Sequence, residues 1–330
     1  MTASAFHLNS PLLVRSPNWL GDAVMALPAV RNLKTLVVKD PLTVATPAKL
    51  AALWEACPFV DRVIALEDPR NIWTTMRQLR PEKFASAVLL PNSLRAAAEA
   101  RLSGISQCAG YGKGGRSLLL THAVPPPPRN PVRLHQRYYY LDLATALGAP
   151  SDESLPELRR EPRPTGPVTR PVIAICPGAE YGPAKRWPIE NFVAVAKHFV
   201  EKHQARIILL GAPGDTPVAD EFMRQLPDSE NRVGKTTLAE FMAALGSAQL
   251  VICNDSGAMH VASALGTPTV VIFGSTEPLL TGPMGPHAAV LRHHVPCSPC
   301  FLRECPIDFP CMKSLGPELA IAAGEKLLKA

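Results

Sequence analysis

Three short stretches of the chain combine residue types that handle charge and protons. The first is Arg15-Ser-Pro-Asn-Trp-Leu-Gly21-Asp22. Gly21 allows another backbone or a ligand to come close. Asp22 falls where a helix should begin, and an N-cap is the common use of such a residue. A general base is the other use. The positive end of a helix dipole keeps a carboxylate ionised and weakly basic unless it is desolvated. On this loop alone the cap is the favoured reading.

The second stretch is Cys176-Pro-Gly178-Ala-Glu-Tyr-Gly182-Pro-Ala-Lys185-Arg186-Trp-Pro188. Pro188 suits the first turn of a helix, where a missing N–H costs nothing. A helix start behind two adjacent cations, Lys185 and Arg186, makes an anion site, with Gly178 letting the anion approach. The third is Cys253-Asn254-Asp255-Ser256-Gly257-Ala-Met-His260. The backbone N–H groups of Ser256 and Gly257 can face phosphate oxygens at a helix start. Asp255 repels phosphate and suits sugar hydroxyls instead. His260 lies about one turn into the helix and can point back at the same place.

The chain has eight Cys, four of them clustered as Cys297-x2-Cys300-x4-Cys305-x5-Cys311. In a reducing compartment this pattern suggests metal before disulfides. The cluster is therefore a candidate structural zinc site, although its spacing is irregular for a zinc module. Of the scattered Cys57, Cys108, Cys176 and Cys253, two fall in apolar runs and read as small buried hydrophobes.

Two literal motifs lack their context. Gly110-Tyr-Gly112-Lys-Gly-Gly115 matches G-x-G-x-x-G, but Leu118–Val124 and a proline run follow where a helix is needed, so it reads as a loop. Gly234-Lys235-Thr236 resembles the end of a P-loop, but Ser229 stands where the earlier glycine is required. His293–His294 reads as a solvated pair.

The elements that must position these loops alternate strand and helix. In the first half, strands are expected at Leu12–Arg15, Leu42–Ala45, Arg62–Leu66 and Ala87–Leu90. Helices are expected at Ala23–Leu36, Ser93–Leu102 and His135–Leu147. Ala149–Pro171 is rich in proline and charge and reads as a linker. The alternation then restarts, with strands at Val172–Cys176, Arg206–Leu210, Leu250–Cys253 and Thr269–Phe273. Helices are expected at Ile189–His203, Leu238–Leu245, Met259–Leu265 and, last, Gly316–Lys329. This predicts an α/β protein of two doubly wound, Rossmann-like domains, 1–160 and 161–330, facing a central cleft, with ligands at the carboxyl ends of the strands.

Length and composition agree with two globular domains: 330 residues, 47% hydrophobic and 19% charged. The net charge of +6 is mild, fitting anionic small molecules or a membrane surface without requiring nucleic acid. No signal peptide is visible at Met1–Ser10, and no apolar run is long enough for a membrane span. The expected location is cytoplasmic, with any membrane contact peripheral.

Taken together, the three loops resemble the ADP-heptose:lipopolysaccharide heptosyltransferases of glycosyltransferase family 9. Similarity runs from Val14 to Met312. The stretches Cys176–Pro188, Asn254–His260 and Cys300-Phe-Leu-Arg-Glu-Cys-Pro306 are especially like the heptosyltransferase II branch. The resemblance implies a GT-B fold, with the acceptor held by the first domain and ADP-heptose by the second. It implies inverting transfer of L-glycero-D-manno-heptose onto the first heptose of the lipopolysaccharide inner core, at the inner leaflet of the inner membrane, with a lipid A-core acceptor and no required cofactor. It makes Asp22, of the Gly21-Asp22 pair, the general base instead of a cap. It gives Lys185, with Arg186 beside it, to the diphosphate. It gives Asp255, Ser256, Gly257 and His260 to the donor, and places Thr236 at the adenosine. The first loop departs from the family, since Ser16-Pro-Asn-Trp19 stands where many members have small hydroxyl residues. The alternatives are heptosyltransferase I, another glycan acceptor, or a non-catalytic sugar-nucleotide binder. The pairing of Asp22 with the donor loops argues against the last.

Overall fold

The computed structural model describes residues 7–128, 133–160 and 169–329. The chain divides into two compact units between Arg159 and Arg160. The first unit runs β1 (Leu12–Arg15), α1 (Leu20–Met25), α2 (Leu27–Lys34), β2 (Leu42–Pro47), α3 (Ala51–Glu55), β3 (Arg62–Leu66) and α4 (Ile72–Leu79). It continues with β4 (Ser86–Leu89), α5 (Leu94–Leu102), β5 (Gln107–Tyr111), β6 (His122–Val124) and α6 (Gln136–Ala146). The second unit begins with β7 (Val172–Cys176), α7 (Ile189–His203), β8 (Arg206–Leu209), α8 (Thr216–Gln225), β9 (Glu230–Asn231) and α9 (Leu238–Ser247). It ends with β10 (Leu250–Asn254), α10 (Gly257–Ala264), β11 (Thr269–Phe273), α11 (Pro278–Thr281), β12 (Ala288–Arg292), α12 (Pro310–Lys313) and α13 (Pro317–Leu328).

Each unit holds a six-stranded sheet, in the orders β3-β2-β1-β4-β5-β6 and β12-β11-β10-β7-β8-β9. The pairings are parallel throughout. Counted from each unit's own first strand, both sheets follow the order 3-2-1-4-5-6 of the doubly wound fold. Their winding reverses between β1 and β4 in one and between β7 and β10 in the other, and ligands of this fold bind at the carboxyl side of such a reversal. The central strands are apolar and buried along their whole length, Leu-Leu-Val in β1 and Leu-Val-Ile-Cys in β10, because helices cover both faces. In α7 the buried side is Phe192, Val193, Val195, Ala196 and Phe199. Trp187 packs edge-on to Phe192 at 5.0 Å and donates its indole N–H to the Leu315 carbonyl at 2.8 Å.

Three expectations need correction. The helix over Ala23–Leu36 is two helices. Pro28 cannot supply an amide inside a helix, so α1 stops at Met25 and α2 restarts with the proline in its first turn. The glycine motif at Gly110 is not wholly a loop, since Gly110 and Tyr111 end β5. Of the expected linker, residues 161–168 lie outside the described residues. Its start, Ala149–Arg159, belongs with the first unit: Leu158 is buried, and the Arg159 N–H donates to the Ala56 carbonyl at 2.7 Å.

Candidate active site

In the second unit, the loop after β7 and the loop after β10 flank the winding reversal. Asn254, fully buried at the end of β10, ties them together. Its carbonyl oxygen accepts from the Trp187 N–H at 3.0 Å, and its amide donates to the Pro177 carbonyl at 2.7 Å. This lock brings Lys185 to Asp255, Nζ to Oδ2 at 2.5 Å, with side chains 13% and 5% exposed. Thr276, just past β11, donates its hydroxyl to the same Oδ2 at 2.5 Å. Lys185 also lies over the Tyr181 ring, 4.7 Å from its centroid, and the Arg303 guanidinium stacks on that ring at 5.0 Å.

Arg186 turns elsewhere. Its guanidinium faces Asp215 at 3.7 Å, while Asp215 accepts from the Ala212 N–H at 3.0 Å. The Asp215 carboxylate occupies the space where a Gly178 side chain would begin, 2.0 Å from an added Cβ. Gly178 is therefore a glycine to seat Asp215. Ser256 is the N-cap residue of α10, yet its side chain makes no capping bond, which leaves the first amides of that helix to other partners. His260 is buried one turn in, and Gly257 opens the helix. Thr236 immediately precedes Thr237, which caps α9 in a reciprocal box with Glu240.

In the first unit, Asp22 is not the N-cap of α1. Trp19 holds that position without a side-chain bond, and Asp22 is the third residue of a six-residue helix. Its Oδ1 accepts from the Tyr140 hydroxyl of α6 at 3.1 Å. Burial raises the Asp22 pKa above the ordinary carboxylate range, against the lowering effect of that hydrogen bond. Asp22 is thus the desolvated case, in which the carboxylate is a stronger base than one at an exposed helix start. The loop before Asp22 is braced by Arg15, which is 4% exposed. Its two Nη groups donate to the Ser16 carbonyl at 3.0 Å and to Asn18 Oδ1 at 3.1 Å, and its Nε lies 3.7 Å from buried Glu99.

Among the described residues no group of three or more His, Cys, Asp or Glu is gathered to hold a metal. Cys297, Cys300, Cys305 and Cys311 are free thiols. Cys297 is exposed, while the Cys305 sulfur is occupied by the Phe309 N–H at 3.3 Å. Burial and the three neighbouring thiols push the Cys311 thiol up. His293 and His294 are exposed.

Two doubly wound units of this strand order, one with a partly buried carboxylate and the other with a lysine and a helix start without a side-chain cap at its winding reversal, define an α/β glycosyltransferase of the GT-B class. Residues 72–309 match glycosyltransferase family 9 (heptosyltransferase), and the chain belongs to that family. It is 28% identical to lipooligosaccharide heptosyltransferase 2 of Haemophilus influenzae over 308 residues, 85% of this chain and 88% of that protein. The solved structure of E. coli ADP-heptose lps heptosyltransferase II aligns with a TM-score of 0.80 at 26% identity, covering 96% of this chain and 98% of that one. E. coli heptosyltransferase WaaC with ADP shares the fold at a TM-score of 0.75 and 16% identity, over 96% and 99% of the two chains.

Sequence reasoning singled out Lys185, Asp255 and Asp22, and the structure gives each a defined partner. It missed Asn254 as the lock, and it missed Thr276, Asp215, Tyr181 and Tyr140. Asn254 and Tyr181 stood inside quoted motifs. For Tyr140, 118 residues from Asp22, no local signal exists.

Proposed function

We propose that the chain transfers L-glycero-D-manno-heptose from ADP-heptose onto the first heptose of the lipopolysaccharide inner core, with inversion at the anomeric carbon. The observation that carries this reading is the Asp22 carboxylate, partly buried and raised in pKa, in a chain whose similarity to heptosyltransferase 2 proteins spans both units. Asp22 takes the proton of the acceptor hydroxyl as that oxygen attacks the anomeric carbon and the bond to ADP breaks. The transition state has oxocarbenium character. Lys185 and the amides that open α10, at Ser256 and Gly257, meet the charge left on the departing diphosphate, so fixed groups do the electrostatic work. Arg186 adds positive potential while bound to Asp215. Asp255, His260 and Thr236 are assigned to the donor's heptose and adenosine portions. The related WaaC was solved with ADP, which supports a nucleoside diphosphate as the leaving group. The acceptor is assigned to the first unit, with the protein at the cytoplasmic face of the inner membrane.

The test offers purified chain ADP-heptose and ADP-glucose with core acceptors bearing no heptose or one heptose. The expected product is one heptose heavier, formed from ADP-heptose and the one-heptose acceptor alone, with its linkage read by NMR. Labelling of the heptose-free acceptor would instead make this a first-heptose transferase.

A further inference from the structure

The Tyr140–Asp22 bond is one end of a longer chain of contacts, all within the first unit. Tyr139, the preceding residue of α6, receives the Asn92 amide on its phenol oxygen at 2.8 Å. Its backbone carbonyl accepts from the Tyr111 hydroxyl at 2.7 Å, and the two rings lie 4.3 Å apart. Asn92 Oδ1 in turn accepts from Arg116 Nη1 at 3.0 Å, and Arg116 Nη2 donates to the Leu89 carbonyl at 3.2 Å. Arg116 is 2% exposed, forms no ion pair with a carboxylate among the described residues, and leaves its Nε without a hydrogen-bond partner.

A buried guanidinium without a carboxylate is costly, and an apolar side chain would fill the space more cheaply. The backbone is nevertheless shaped to accept it. An added Cβ on Gly110 would stand 2.7 Å from Arg116 Nη2 and 3.0 Å from the Leu89 carbonyl oxygen. The literal G-x-G-x-x-G motif, which β6 and not an α-helix follows, thereby has a use. Its first glycine makes room for this cation.

We propose that Tyr140 is the positioning residue for the Asp22 base, and that Arg116 braces it through Asn92 and Tyr139. The proposal rests on Asp22 being the base. Tyr140 fixes Oδ1 and leaves Oδ2 for the acceptor hydroxyl. Burial, and then the Asp22 charge, hold the phenol protonated far above neutral pH, so it acts as a constant donor and not as a competing acid. Other charges on the elements packed against α1 are engaged elsewhere. On α2, Arg31 pairs with Asp152 and Lys34 with Asp61; on α6, Asp142 pairs with Arg133, and Arg137 faces Glu153 at 3.9 Å and donates to the Tyr138 hydroxyl at 2.7 Å. The hydrogen bond favours the ionised carboxylate, so its loss raises the pH at which Asp22 becomes a base.

The test is the pH–rate profile of the full chain, with a melting curve for each variant. Tyr140→Phe should move the acidic limb of kcat to higher pH and lower the plateau about tenfold, with the donor KM unchanged. Tyr139→Phe, farther from the base, should lower kcat in the same direction and remains usable if Tyr140→Phe does not fold. Arg116→Met should lower kcat, and the double variant Arg116→Met/Tyr140→Phe should be no slower than Tyr140→Phe alone, since both act through one contact. Strictly additive losses would remove Arg116 from the chain of contacts. A folded Tyr140→Phe with wild-type kcat and an unmoved acidic limb overturns the proposal. Asp22→Asn separates the two readings. If it stays active, the base assignment fails; if it is inactive while Tyr140→Phe is normal, only the positioning role fails.

Discussion

At the scale of single residues, the balance to weigh is between charge and burial. Asp22 must be ionised to accept a proton, yet its surroundings favour the neutral acid. That tension gives a base more strength than an exposed aspartate has. Asp22→Asn should reduce turnover by about 10²–10⁴ while ADP binding, measured by calorimetry, stays unchanged. Near-normal turnover would refute the assignment. For Lys185 the expectation is different. If Lys185 meets the diphosphate, Lys185→Ala removes one charged hydrogen bond to it and leaves the Asp255 carboxylate with the Thr276 hydroxyl and without its cation. ADP should bind about 10–100-fold more weakly, and unchanged affinity in the same assay would remove Lys185 from the diphosphate. Lys185 and Asp255 were legible in the sequence because glycines and a strand-to-helix junction surround them. Thr276 and Tyr140 were not, because hydroxyls are common and what matters is what each one touches.

At the scale of elements, packing outweighs propensity. Gly324 sits in α13, where alanine would normally gain about 1 kcal/mol of helix stability. Its added Cβ, however, would lie 2.8 Å from Phe199 and 2.9 Å from Leu250. Overpacking of this kind costs about 1–3 kcal/mol, so Gly324→Ala should lower the melting temperature, and a rise would show that α13 can shift outward. The same helix is tied to α7 by Glu325, whose Oε1 meets His203 at 2.7 Å, His198 at 2.9 Å and Lys202 at 3.1 Å. Burial works against its ionised form, but hydrogen bonds from His203, His198 and Lys202 outweigh it and lower the pKa from 4.5 to about 2. A depressed carboxylate stabilises the fold above its unfolded pKa and loses that contribution as pH falls through the folded one. The wild-type melting temperature should therefore drop between about pH 4.5 and pH 2. Glu325→Gln should flatten that part of the curve, and identical curves would show the cluster to be without effect. The central strands could be read from sequence because burial on both faces makes them continuous apolar runs. The two-residue β9 and the glycine-bearing β5 carry no such run, since sheet edges and close approaches impose no hydrophobic pattern.

At the scale of the whole molecule, the net charge is +6, and among the described residues no helix is long and apolar enough to cross a membrane. If the acceptor lies in an anionic leaflet, attraction to it must be partly electrostatic. The chain should sediment with phosphatidylglycerol vesicles, less so as ionic strength rises past about 0.15 M, where the screening length is about 8 Å, and not with neutral vesicles. Salt-independent or absent binding would refute surface attraction. The two-unit layout was legible because the strand–helix alternation stops at a proline-rich stretch and then resumes. The matching strand orders were not, because pairing between distant strands leaves no local mark. One consequence concerns the crowd of other anions in a cell. Lys185 is already partnered by Asp255, so an approaching anion exchanges one neighbour for another and gains little by charge alone. Free phosphate can offer the lysine only that exchange. A donor whose sugar hydroxyls satisfy the released carboxylate recovers what the exchange gives up, and selectivity against the commoner anions follows from a contact between two of the protein's own side chains.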